Sequence, residues 1–219
     1  RRPNLWAVGL VSACLWTVGC GSFSARGLNA EGVRQFEQAR YEEAIGHFQQ
    51  AIFDDPNNAD GYYNLAAAHH RLATLHKQPS DYQRAESYYN QCLDRNGDHA
   101  ECYRGLAVLL AEQGRKEESL RLLRGWVDRR PDWAEPKIEL ARLLEENGQP
   151  ELAKERLVEA LGQDPNHARA LAALGNLREA TGDRVQALAD YQRSLWYNRF
   201  QPEVAARVGT WTQSWGSLV

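Results

Sequence analysis

Pro131 and Pro165 stand 34 residues apart in similar settings, "WVDRRPDWA" and "EALGQDPNHA", and a third such setting, "AIFDDPNNA", surrounds Pro56. Gly114, Gly148 and Gly182 keep the same 34-residue interval. A period of this size overrides a domain count taken from length, because it marks a small unit repeated along the chain. The punctuation has a physical reading in terms of helices. A glycine accepts the left-handed backbone that turns the chain at the end of one helix, and a proline, which has no N–H to give, stops the next. With 43% hydrophobic and 25% charged residues among 219, the composition is that of a folded chain and not of a disordered or polytopic membrane protein.

The period resembles the tetratricopeptide repeat, a helix-turn-helix unit with the pattern W-x2-L-G-x2-Y, then A-x3-F, then P. With the proline at position 32, the repeats run 25–58, 59–99, 100–133, 134–167 and 168–201. The resemblance is tested at positions 8 and 20, where two antiparallel helices approach most closely. Position 8 reads Gly32, Ala66, Ala107, Ala141 and Gly175, and position 20 reads Ala44, Ala85, Ser119, Ala153 and Ala187. All are small, as close approach demands. Position 24 supplies an apolar knob in Phe48, Tyr89, Leu123, Leu157 and Tyr191. The resemblance therefore implies an all-α fold, a right-handed α-solenoid of five helix-turn-helix repeats over residues 25–201.

Residues 202–219 add a capping helix and tail, since Pro202 suits a first helical turn and Val204, Val208, Trp211 and Trp215 follow at helical spacing. Departures from the pattern carry information. Glu31 stands where later repeats have Leu65, Leu106, Leu140 and Leu174, which suits a polar N-terminal cap. Repeat two holds seven extra residues around "ATLHKQPSD", which either lengthen its first helix or form a loop before Ser80 and Asp81 cap the next.

At the other end, two arginines precede an uncharged stretch, Leu5 to Val18, that ends in Gly19 and Cys20. Basic start, short apolar middle and small residue are the parts of a secretory signal, and the stretch is short for a membrane span. It resembles the bacterial lipoprotein signal. "TVGC" fits its box loosely, with Thr17 where Leu is commonest; "VSAC", ending at Cys14, fits the letters better but leaves only Leu5 to Leu10 as its apolar region. The resemblance implies a lipid on Cys20, with Cys14 the alternative, removal of residues 1–19, and a tether over 20–24. It places the chain in the bacterial cell envelope, lipid-anchored and facing the periplasm, at the outer membrane sooner than the inner because no aspartate follows Cys20. A plain secreted protein or an uncleaved anchor is the competing reading.

Chemistry is sparse. The formal charge of −3 becomes more negative once the opening arginines are lost, so the electrostatic footprint of a nucleic-acid binder is missing. There is no phosphate loop, no G-x-S-x-G elbow and no H-E-x-x-H. His69 and His70 are adjacent on a helix and point about 100° apart, a poor start for a chelate; packing suits His69 and surface suits His70. No enzyme, cofactor or metal is expected. Cys92, late in one helix, and Cys102, in the first turn of the next, are placed either to form a disulfide across the turn or to remain buried thiols.

In the tetratricopeptide family the first helices line a concave groove, through positions 2, 5, 9, 12 and 13. Carried onto this chain, these are Asp60, Tyr63, His70 and Arg71; Glu101, Arg104, Val108 and Glu112; Ile138, Arg142 and Glu145; and Arg169, Asn176 and Glu179. Some members grip a C-terminal carboxylate with Lys, Asn and Arg. Here Asn29 and Asn64 fit that clamp, but Val33, Glu101 and Gly105 fill the other places, which argues against it. A lining of mixed sign with Tyr63 as aromatic anchor suits an extended or helical peptide. The resemblance implies a non-catalytic, lipid-anchored scaffold binding a protein or peptide segment of another envelope protein, similar to type IV pilus pilotins or envelope-assembly adaptors. The alternative is an accessory repeat region of a larger envelope enzyme.

Overall fold

A computed structural model describes residues 18–216, and their side chains from Ser24 to Trp211. Among the described residues there are eleven helices and no strand: α1 (Val18–Glu37), α2 (Tyr41–Asp54), α3 (Ala59–His76), α4 (Pro79–Arg95), α5 (Ala100–Glu112), α6 (Lys116–Arg129), α7 (Ala134–Glu146), α8 (Pro150–Gln163), α9 (Ala168–Ala180), α10 (Arg184–Tyr197) and α11 (Pro202–Gly216). The fold is the all-α helix-hairpin architecture of the tetratricopeptide repeat. Two compact units divide within α5, at residues 105 and 106.

In the first unit α1 packs on α2 and α3 on α4, with α2 also against α3. Ala44, Phe48, Leu65 and Ala68 form a core cluster, edged by Phe36, Ile45, Ile52 and Tyr88. In the second unit α7 pairs with α8 and α9 with α10, while α11 lies on α10. Leu123, Trp126, Leu157 and Tyr191 are fully buried there, each such side chain contributing on the order of 1.5–3 kcal/mol of transfer free energy.

Every small residue at positions 8 and 20 is buried. At Gly32 and Gly175 the reason is visible, because a Cβ would stand 2.5 Å from the Phe48 ring and 2.6 Å from the Tyr191 ring, inside van der Waals contact. Turns within the repeats use left-handed glycines: Gly114, Gly148 and Gly182 have φ of 76°, 74° and 86°. Repeats one and two put Ala39 (φ 59°) and Lys77 (φ 56°) in the same region. Between repeats, Asp55, Asn96, Asp164 and Asn198 each follow a helix and accept the N–H two residues on through a side-chain oxygen, an Asx turn that ends the helix.

Two segments differ from expectation. Residues 20–24, expected as a tether, belong to α1. Tertiary packing accounts for this: Ala25 is 1% exposed and the Ser24 hydroxyl donates to Asp54 at 3.0 Å, so the helix is held against α2 where composition alone suggested a linker. Cys20 lies within α1, its side chain outside the described residues, and Cys14 with the rest of residues 1–17 lies outside them altogether.

The extra residues of repeat two lengthen both of its helices, so that α3 has 18 residues against 13 in α5, α7 and α9, and α4 has 17 against 14 in α6, α8 and α10. Neither Ser80 nor Asp81 caps α4. Pro79 opens that helix, and Asp81 is buried inside it. No described helix is long and apolar enough to cross a membrane.

Candidate functional site

In the first unit the first helices α1 and α3 leave a cavity of about 260 Å³, lined by Val33, Phe36, Glu37, Phe48, Tyr63, Asn64 and Ala67. The sequence explains its character. Val33 is 36% exposed on α1, and the small Ala67 on α3 leaves room between Phe36, Phe48 and Tyr63. One wall is polar, because Asn64 Nδ2 donates to Asn29 Oδ1 at 3.0 Å. The two asparagines that matched a carboxylate clamp thus bind each other, and Val33 makes the neighbouring surface apolar.

Tyr63 is half-buried, stacked on His99 with ring centroids 5.5 Å apart and tilted toward Tyr89 at 6.4 Å. Burial pushes its hydroxyl pKa up, Glu101 adds to the rise and Arg104 opposes it. His70 meets the Tyr89 hydroxyl through Nδ1 at 3.3 Å, and the Arg71 Nε–H donates to the Tyr41 hydroxyl at 3.3 Å.

Asp60 faces His99, whose tautomer is set by geometry. The Cys102 N–H donates to Nδ1 at 3.3 Å, so Nε2 carries the proton and donates to Asp60 Oδ1 at 3.0 Å. His99 is therefore a helix cap as well as a groove neighbour. In the second unit His167 repeats the device, with Nδ1 accepting from the Ala170 N–H at 3.3 Å and Nε2 donating to Glu135 at 2.8 Å. These caps were missed in the sequence. The signal is a histidine at the last position of repeats two and four, paired with an acid at position 2 of the same repeat.

The expected groove residues of the second unit are engaged differently. Ile138 is 4% exposed, a correction to its place in the groove: an apolar residue on a helix packed on several sides gains by burial. Arg142 reaches back to Glu139 at 3.5 Å and also pairs with Glu146, while Arg169 binds the other Glu139 oxygen at 2.5 Å. Glu139 is fully buried, and two guanidiniums offset the cost of its charge. Glu145 is exposed.

Asn176 accepts from the Tyr191 hydroxyl at 2.8 Å and from Arg207 of α11 at 3.1 Å, and Arg207 also binds Glu179 at 2.6 Å. Burial, reinforced by the hydrogen bond to Glu179, pushes the Tyr191 hydroxyl up to about 12. The capping helix thus occupies this part of the first-helix surface, with Trp211 6.0 Å from the Tyr191 ring.

Cys92 and Cys102 are joined by a disulfide linking α4 to α5, with Cα atoms 6.6 Å apart. His99 lies beside them, and the three residues are the group among the described residues whose ligand atoms could hold a metal ion. His69 is 5% exposed and stacked on Tyr88, whereas His70, expected at the surface, is half-buried against the Tyr89 hydroxyl.

Two profiles described as tetratricopeptide repeat match residues 78–144 and 138–203, and one described as TPR repeat matches residues 32–72. Comparison with curated proteins returned no match. Among solved structures, a thermophilic TPR protein of Thermus thermophilus is similar at 20% identity with a TM-score of 0.64, over 85% of this chain and 97% of that one. A tetratricopeptide repeat protein from Parabacteroides merdae is similar at 16% identity with a TM-score of 0.64, over 84% of this chain and 70% of the other. The pilF protein of Pseudomonas aeruginosa is similar at 17% identity with a TM-score of 0.57, over 88% and 86%. At such identities the likeness is one of fold. Repeat register, helix-hairpin packing and matching profiles agree, and this chain belongs to the tetratricopeptide-repeat family.

Proposed function

We propose that this protein is a non-catalytic scaffold that holds a segment of another envelope protein against the first helices of its N-terminal unit. The observation that carries the reading is the cavity between α1 and α3, about 260 Å³ with an apolar lining and a hydrogen-bonded asparagine pair at its wall. That volume accommodates a bulky apolar side chain, and the asparagines and Tyr63 supply polar contacts to a peptide backbone. The lipoprotein-like signal supports a lipid anchor at Cys20, or at Cys14, and a place facing the periplasm, with the outer membrane favoured. An adaptor in envelope assembly, pilotin-like in its mode of action, is the form of scaffold this combination suits.

A photo-reactive amino acid at Val33, compared with one at Phe53, which is 78% exposed on α2, tests the site in cells. A discrete protein adduct from position 33, absent from position 53 and lost with Ala67→Arg, is expected. Equal adducts from both positions would count against this face. For the anchor, intact mass of the membrane-bound protein should show acyl chains that disappear in Cys20→Ala; lipid retained in that variant moves the attachment to Cys14.

A further inference from the structure

The turn between α4 and α5 gathers two sulfurs and an imidazole. Cys92 lies near the end of α4, Cys102 is the third residue of α5, and His99 caps that helix. Both Sγ atoms and a ring nitrogen of His99 lie within 4.8 Å of one another, and all three residues are buried. In the structure the sulfurs are bonded to each other. We propose that reduction of this disulfide turns the same place into a binding site for one Zn2+ ion, ligated by Cys92 Sγ, Cys102 Sγ and His99 Nδ1.

The donor set is suited to zinc, which takes thiolate and imidazole ligands in a tetrahedron with Zn–S of about 2.3 Å and Zn–N of about 2.0 Å. Those bond lengths put neighbouring ligand atoms about 3.6–3.8 Å apart. The three atoms already lie within a span that side-chain rotation closes. The Nε2–H of His99 is committed to Asp60 at 3.0 Å, so the lone pair is on Nδ1, and the metal takes it in place of the Cys102 N–H that it accepts at 3.3 Å in the oxidised chain. Asp60 then acts as the carboxylate that orients a ligating imidazole and raises its basicity. Glu101 Oε2, 3.4 Å from Nδ1, is placed to supply a fourth, oxygen ligand.

The conversion balances with a dithiol as reductant. It delivers two electrons and two protons, the Sγ–Sγ bond breaks, and the reductant leaves as its own disulfide. Zinc then displaces both thiol protons to solvent. Either state links α4 to α5 beneath Tyr63, by a covalent bond when oxidised and by the ion when reduced.

The test uses the full chain carrying Cys14→Ser and Cys20→Ser, reduced with a dithiol that is then removed without air, and titrated with Co2+ followed by Zn2+. One equivalent of Co2+ is expected, with thiolate-to-metal charge-transfer and tetrahedral d–d bands that Zn2+ abolishes. The oxidised chain should show neither. His99→Ala and Asp60→Asn should each weaken Zn2+ binding by about tenfold or more, whereas His167→Ala, which removes the matching cap in the other unit, should leave it unchanged. A chain with two free thiols that develops no charge-transfer band would overturn the proposal. So would equal binding by the oxidised chain, or wild-type affinity in His99→Ala.

Discussion

Gly32 and the Phe48 ring fill one space between them: a Cβ on Gly32 would stand 2.5 Å from Phe48 Cε1, and Phe48 is itself 1% exposed. Gly32→Ala therefore forces a buried ring aside and should cost about 1–3 kcal/mol, part of it recovered when Phe48→Leu is added. Gly46 is the control. It is exposed on α2 with no atom within 4 Å of an added Cβ, so Gly46→Ala should stabilise by about 0.5–1 kcal/mol through helix propensity. Urea unfolding followed by far-UV circular dichroism reads both signs.

Ala39 holds a φ of 59° at the turn where three later repeats place glycine. The left-handed conformation costs an alanine roughly 1–2 kcal/mol, offset in part by the greater unfolded-state entropy of glycine. Ala39→Gly should raise stability by about 0.5–1 kcal/mol, and Gly148→Ala, at φ 74°, should lower it by a comparable amount.

His167 caps α9 through Nδ1 while donating to Glu135 through Nε2. His167→Ala removes both bonds and should destabilise by about 1 kcal/mol. His167→Asn, which keeps a capping oxygen, should lose less. Thermal unfolding of the two variants separates the cap from the hydrogen bond to Glu135.

Burial holds the pKa of His69 below its usual 6.5, with Asp81 opposing that shift and Arg84 adding to it. The folded chain therefore binds this proton less readily than the unfolded chain, and stability falls as pH drops through and below about 6.5. His69→Phe should flatten that segment of the stability-pH profile, measured by urea titration at pH 7.5, 6 and 5 on the order of these steps. A profile unchanged by the substitution would assign the loss to other groups.

Features that act through a residue's own backbone were legible in the sequence. Gly114, Gly148 and Gly182 are where a left-handed turn needs them, and Pro131 and Pro165 follow the ends of α6 and α8. The small residues at positions 8 and 20 are buried as close helix packing requires. Tyr63 and Asn64 line the cavity of the first unit, yet its apolar character comes from Val33, Phe36 and Phe48 on other helices. Composition misled at residues 20–24, because small polar residues read as a linker although they belong to α1, where the Ser24 hydroxyl reaches Asp54 of α2 and Ala25 is buried.

The sequence by itself determined the repeat register, the helix hairpins and the turns, because glycine, proline and small side chains constrain the chain wherever they stand. Only the tertiary structure decided which polar residues on the first helices are spoken for. Asp60 serves His99, Asn176 and Glu179 receive Arg207, and Ile138 is withdrawn into the core. Each of these outcomes depends on partners brought in by neighbouring helices, with separations of 39, 31 and 28 residues for the three hydrogen bonds, and no local pattern encodes which side chain will arrive there.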